Sequence, residues 1–308
     1  MFQSLPHSFL QMNTIFISIL IEALPFVLIG AFISGFIQSF LSEKFIARII
    51  PKNKFLGVLF GSSLGVAFPS CECGIVPIVH RLNKKGVPIH TGVAFMLTAP
   101  IVNPIVVMST YIAFGNTWEI PILRVVGSLV VSIVVGTLIA YFYKGEGLRK
   151  VVEKKINAKE HGHTGHHHHH SSSQKETIGQ KLWHASQHSV DEFFTVGKYL
   201  VFGSLLAAAM QVYVKTSILT TLGDNKLMAI LVMIVLAFLL SLCSEADAFI
   251  AASFRGLFPQ SAIVAFLVFG PMIDFKNILM MINAFKTKLT AYIVVSTTVV
   301  TIIYALVI

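Results

Sequence analysis

Of the 308 residues, 55% are hydrophobic and only 12% charged, with a mean hydropathy of +0.78, whereas an ordinary soluble domain is about 25% charged; a water-soluble fold is argued against from the outset. The formal charge of +9 comes from lysines and arginines set in the connections beside apolar blocks rather than along one amphipathic face, so they read as topology signals and not as a nucleic-acid footprint. Three cysteines, two of them one residue apart, make no disulfide framework and read as thiols.

Hydrocarbon about 30 Å thick is spanned by roughly 20 apolar residues. Blocks near that length occupy 14–40, 56–79, 89–114, 120–143, 189–214, 227–250, 260–282 and 288–307. The expectation is an all-α polytopic membrane protein with about eight apolar segments, some interrupted or re-entrant. It divides into a first transmembrane half 1–143, a linker 144–187 and a second transmembrane half 188–308. No Lys or Arg precedes Lys44, so the first block lacks the basic flank of a cleaved signal and is expected to stay on the mature protein. Glu22 stands just before Pro25 in that block.

The second block carries Phe68-Pro69-Ser70-Cys71-Glu72-Cys73-Gly74, with Pro77 close behind. A charge at the bilayer centre costs about 2.5–3.5 kcal/mol even on the lenient insertion scale. Pro69 disfavours helical geometry at Phe68 and Gly74 admits unusual dihedrals, so a helix break is expected over Pro69, Gly74 and Pro77. Residues i and i+2 point about 200° apart on a helix but to one side of an extended chain. Unwound backbone would therefore let Cys71 and Cys73 face one ion. Thiolates are soft ligands suited to zinc, copper(I) or trivalent metalloids, although Cys-x-Cys alone is a weak metal signal and buried cysteines also serve as fillers.

In the third block Asn103 follows Pro100 by three residues, as Asp274 follows Pro271 in the seventh, and helix breaks are expected at these two prolines as well. Polar groups at such prolines face a cavity or satisfy freed backbone. The linker is polar and lacks apolar periodicity, and it holds His161, His163, His166, His167, His168, His169 and His170 before three serines. It reads as a disordered cytoplasmic spacer whose imidazoles bind zinc, nickel or copper loosely. The sixth block carries Cys243-Ser244-Glu245-Ala246-Asp247 with no proline or glycine to break it. Glu245 and Asp247 either join Glu72 and the cysteines in a shared site or pair with Arg255 or Lys276.

Val93 to Asn103 recurs as Val264 to Asp274 at an offset of 171, and with a two-residue gap Glu72 matches Glu245 and Gly30 matches Gly203. Repeats with polar, interrupted segments at matching positions are a transporter signature. If 56–79 dips in and returns, each half has three crossings plus a re-entrant pair and the halves are inverted; if it crosses, eight plain crossings form parallel repeats.

With the motif Pro69-Ser-Cys-Glu-Cys-Gly74 in the first of two related halves, the chain resembles the bacterial predicted-permease family that includes the organoarsenical efflux permeases. The resemblance covers nearly the whole chain outside 144–187. It implies a multi-pass permease of the cell inner or plasma membrane, embedded in the lipid bilayer and in some members working beside a second membrane subunit. A homo-oligomer is the other partner left open, and no nucleic acid is involved. It does not fix the solute. The His-rich insert is not shared and tilts the choice from methylated arsenicals towards a soft metal, zinc first, as substrate rather than cofactor. The transport residues that the motifs themselves mark are Cys71, Glu72, Cys73, Asn103, Glu245, Asp247 and Asp274, with Cys71, Cys73, Cys243 and the histidines as metal ligands. An enzyme is not expected: His-Glu-x-x-His, Gly-x-Ser-x-Gly, Cys-x-x-Cys and a P-loop are all missing. The competing reading of another class is a membrane-anchored metal sensor or assembly subunit built around the histidine tract.

Overall fold

The computed structural model describes residues 7–40, 50–51, 53–67, 72–143, 178–213 and 225–308. These are helical almost throughout, without a strand among them. The helices of the first half are α1 (His7–Phe40), α2 (Lys54–Ala67), α3 (Glu72–Lys84), α4 (Ile89–Thr98), α5 (Pro104–Ala113) and α6 (Glu119–Phe142). Those of the second are α7 (Ile178–Tyr213), α8 (Lys226–Leu240), α9 (Ser244–Ser253), α10 (Gln260–Met272), α11 (Phe275–Ala284) and α12 (Thr287–Val307). Among the described residues, five stretches are long and apolar enough to cross a membrane: Ser8–Ile33, Glu119–Phe142, Ser189–Val212, Gln260–Ala284 and Thr287–Val307. The chain is a multi-pass membrane protein of the all-α class.

Four of the eight apolar blocks are single long helices (α1, α6, α7 and α12), and the other four are each two short ones. At 1.5 Å per residue, the 14 residues of α2 and the 15 of α8 reach only about 21–23 Å and stop inside a bilayer.

Small residues set the directions of these short helices. Gly57, Gly61 and Gly65 of α2 lie against His90, Thr91 and then Thr98 of α4 and the following Ala99, so α2 and α4 run parallel; a Cβ on Gly61 would collide with the Thr91 carbonyl oxygen. Gly92 near the start of α4 faces Val79 and Asn83 of α3, and a short turn in which the Val87 amide bonds the Leu82 carbonyl reverses the chain between them. Helices α2 and α3 are therefore antiparallel: the chain dips in and returns at the same end of the bundle. Its counterpart is α8–α9, for Gly270 at the end of α10 faces Ala237 near the end of α8 and Asp247 at the start of α9.

The two hairpins enter from opposite ends. Lys54 Nζ donates to the Ala140 carbonyl at 3.1 Å, which sets the start of α2 beside the end of α6. Lys226 Nζ donates to the Leu306 carbonyl at 3.0 Å, setting the start of α8 beside the end of α12. The Tyr304 hydroxyl donates to the Leu123 carbonyl at 2.8 Å, so α12 ends where α6 begins. At the centre α4 packs on α10, with Val93, Ala94, Leu97, Val264, Ala265 and Phe266 fully buried.

Sequence expectations need two corrections. Gly74 and Pro77 do not break the chain but lie within α3. Gly74 is small because α1 crosses there: a Cβ on Gly30 would sit 2.8 Å from the Gly74 carbonyl oxygen and 2.9 Å from its Cα. Helix α7 begins at Ile178, so the stretch 178–187 assigned to the linker is helical. Pro69 and Cys71 lie outside the described residues, as do all seven histidines of the tract.

The α1–α3 crossing supplies a first prediction. Gly30→Val drives a branched side chain into backbone that has no room to yield, an overpacking cost of about 1–3 kcal/mol. The detergent-solubilised variant should melt several degrees below the wild type by size-exclusion thermal challenge. Gly197→Ala, where a Cβ meets nothing within 4 Å, should melt with the wild type.

Candidate functional site

Two chain breaks bring polar residues together inside the apolar body. Helix α8 ends at Leu240, Ser241 takes a left-handed conformation at φ 48°, and α9 starts again at Ser244. No proline or glycine causes this break; long-range partners satisfy the backbone that it frees. Gln211 Nε2 of α7 donates to the Leu240 carbonyl at 2.6 Å. Ser241 Oγ donates to Asp274 Oδ2 at 2.9 Å, and Arg124 Nη2 donates to the Ser244 carbonyl at 3.0 Å.

The second break, between α10 and α11, follows Pro271, which stands one residue before the end of α10. Asp274 caps α11, its Oδ1 accepting from the Asn277 amide at 2.6 Å, and Lys276 Nζ lies 3.5 Å from its Oδ2. In the first half Pro100 stands in the turn after α4, and Asn103 caps α5 by accepting from the Ile105 amide at 3.0 Å. Asn103 and Asp274 are thus equivalent helix caps.

Where the broken segments meet α1 there is a cavity with about 30 Å³ open to the centre of a water molecule. One such water needs about 10–15 Å³, so an ion with a water or two fits. Its polar lining is Glu22 of α1, Glu72 and Cys73 of α3, Ser241 and Cys243 of the α8–α9 break, and Lys276 of α11. Both halves contribute. Glu72 is 1% exposed, and neither carboxylate oxygen has a hydrogen-bond partner among the described residues. Glu22, Cys243 and Glu245 each bring a ligand atom within 4.8 Å of the other two, and the Cys243 thiol donates to Glu22 Oε1. Glu72 occupies the first turn of α3, and Glu245 and Asp247 that of α9; there the positive end of each helix dipole favours a carboxylate by about 0.3–1 kcal/mol.

Of the residues singled out by sequence, Glu72, Cys73 and Cys243 line the cavity and Glu245 sits beside it. Asn103, Asp247 and Asp274 do not line it. Asp247, 2% exposed, lies under Gly270. Neither Arg255 nor Lys276 serves Glu245 or Asp247 in the way the ion-pair reading requires: Arg255 Nη2 bonds the Phe114 carbonyl at 3.0 Å with its guanidinium 4.8 Å over the Phe114 ring, and Lys276 pairs with Asp274.

Sequence reasoning missed Arg124. It is 1% exposed and donates to Thr110 Oγ1 at 2.8 Å as well as to the Ser244 carbonyl. The signal was available, since Arg124 alone carries charge within the apolar block 120–143. Glu22 was visible only as a polar residue near a proline.

Comparison with known proteins agrees with this architecture. The chain matches the family described as predicted permease over residues 8–308. It is 56% identical over 292 residues to UPF0718 protein YcgR of Bacillus subtilis, covering 94% of this chain and 95% of that protein. It is 48% identical over 307 residues to a putative two-component membrane permease complex subunit of Streptococcus mutans, covering 100% and 98% of the two chains. Against UPF0718 protein YraQ of Escherichia coli the identity is 22% over 111 residues, or 36% of this chain and 32% of that one. No solved structure matches. By the family match and the two full-length relatives, the chain belongs to the predicted permease family.

Proposed function

We propose that this permease moves a soft metal ion, zinc first, through the cavity between its halves. The observation that carries the reading is the buried Glu72 carboxylate, unpartnered among the described residues, in a cavity whose lining also brings Cys73, Cys243 and Glu22 from both halves. An unneutralised acid at that depth is costly and calls for a cation. The histidine tract 161–170 favours zinc over an organic arsenical, and it serves to gather metal at the membrane surface.

The halves act as inverted repeats. Support comes from the matching order of six helices in each, from hairpins α2–α3 and α8–α9 entering at opposite ends, and from α6 and α12 running in opposite directions. Rocking of one half against the other would open the cavity to each side in turn. Lys54, Arg81, Lys84, Lys85, Lys286 and Lys288 gather at one end, against Lys226 and Arg255 at the other, which makes the first end cytoplasmic. One relative is described as a two-component complex subunit, and a second membrane subunit is accordingly the partner to expect here.

Metal accumulation in cells tests the reading. Cells expressing the wild type should differ from those expressing Glu72→Gln by several-fold for zinc, with copper, nickel and trivalent arsenicals measured in parallel. A change for an arsenical alone would move the substrate to that class. A difference that disappears only on deletion of 161–170, with Glu72→Gln indifferent, would favour the sensor reading instead.

A further inference from the structure

At the cavity, the described residues gather one thiol and two carboxylates in a single group. We infer that the metal is held by Glu22, Cys243 and Glu245, a ligand set drawn from both halves and distinct from the Cys71/Cys73 thiol pair; this rests on the metal-permease reading above. The three ligand atoms lie within 4.8 Å of one another. Tetrahedral zinc, with bonds of about 2.0–2.3 Å, places its ligand atoms roughly 3.3–3.8 Å apart, so side-chain shifts of about 1 Å adjust the set to that spacing.

Two independent features point to a bound cation rather than to an acidic cluster by itself. Glu22 is an exposed carboxylate in the middle of the apolar stretch Ser8–Ile33; facing lipid, it would be among the most costly placements in a membrane helix. Glu72, buried and without a hydrogen-bond partner among the described residues, lines the same cavity. It stands ready as a fourth ligand or as acceptor for a metal-bound water. Lys276 on that same lining offsets the surplus negative charge that a thiolate and several carboxylates leave after binding a divalent ion.

The chemistry selects the class of ion. One thiolate with two carboxylates suits a borderline divalent cation such as zinc. A trivalent arsenical prefers several thiolates, and the set offers a single sulfur. Cysteine must lose its proton for the metal to bind, and that proton leaves to solvent as the Sγ–metal bond forms.

Cadmium is the probe, because a thiolate bound to it gives a near-ultraviolet charge-transfer band that the histidine tract does not produce. The purified full chain in nanodiscs is titrated at free cadmium levels fixed by a chelator. The wild type should give one saturable band, which Cys243→Ser abolishes and Cys71→Ser/Cys73→Ser retains. Glu22→Gln and Glu245→Gln should each shift the midpoint at least about tenfold, in line with the loss of a metal ligand's contribution. Cys243→His should bind zinc competitively without the band, which separates loss of a ligand from misfolding. A band that survives Cys243→Ser, one that is lost with the Cys71/Cys73 pair, or no band in the wild type overturns the ligand set. Zinc flux in the same preparation reads the permease function separately: flux with a Cys243-independent band overturns this inference alone, and a Cys243-dependent band without flux supports it while telling against transport.

Discussion

Glu72→Gln should leave the protein at least as stable as the wild type while lowering transport by about tenfold or more. The carboxylate is fully buried, and among the described residues neither oxygen finds a hydrogen bond. Lys276 shares its cavity but is already paired with Asp274 at 3.5 Å, so removing the Glu72 charge strands no partner. An unsatisfied buried amide costs about 1–3 kcal/mol, and an unsatisfied charge costs more. The thermal midpoint should therefore hold or rise by a few degrees. The stability lost to Glu72 in the wild type is the mark of a group kept for its ligand. A midpoint that falls would assign the carboxylate a structural role instead.

Arg124→Met is expected to be the most damaging single change outside the cavity. Its guanidinium ties α6 to Thr110 of α5 and to the Ser244 carbonyl of the α8–α9 break, and Asp247 lies in its field. Each hydrogen bond that a buried charged donor makes contributes about 1.5–3 kcal/mol, and Arg124 makes two. Asp247→Asn in the same background should recover about 1–3 kcal/mol, as double-mutant cycles find for contacting groups. Recovery should be incomplete because the Ser244 carbonyl still lacks its donor. Strictly additive losses, read from thermal melts of the four purified proteins, would mean that Arg124 and Asp247 do not interact.

These two residues also mark where sequence reasoning succeeds and where it stops. Glu72 stood out because a carboxylate inside an apolar block has one economical explanation, and the structure places it on the cavity. The proline-marked turn after α4 and the end of α10 were legible for the same local reason: Pro100 and Pro271 lack a donor for the next turn. The α8–α9 break was not legible, since Ser241 to Cys243 carry no local breaker. What holds that break open is Gln211, Asp274 and Arg124, which lie 29, 33 and 120 residues from their partners. Glycine misled in the other direction. Gly74 resembled a hinge, yet it serves a helix crossing whose other member, Gly30, is remote in sequence. The meeting of Glu22 with Cys243 spans 221 residues, and no spacing rule reaches that far. Asn103 and Asp274, read as transport residues because they are polar beside prolines, are caps whose side chains are engaged by the helices they begin.

The central claim is that a divalent soft metal crosses the membrane through the cavity built around Glu72. Its most direct test is zinc flux into proteoliposomes that contain the purified chain and enclose a zinc-sensitive dye. The account predicts saturable flux for the wild type, absent from empty liposomes and reduced about tenfold or more by Glu72→Gln. Zinc flux unchanged in that variant would contradict it.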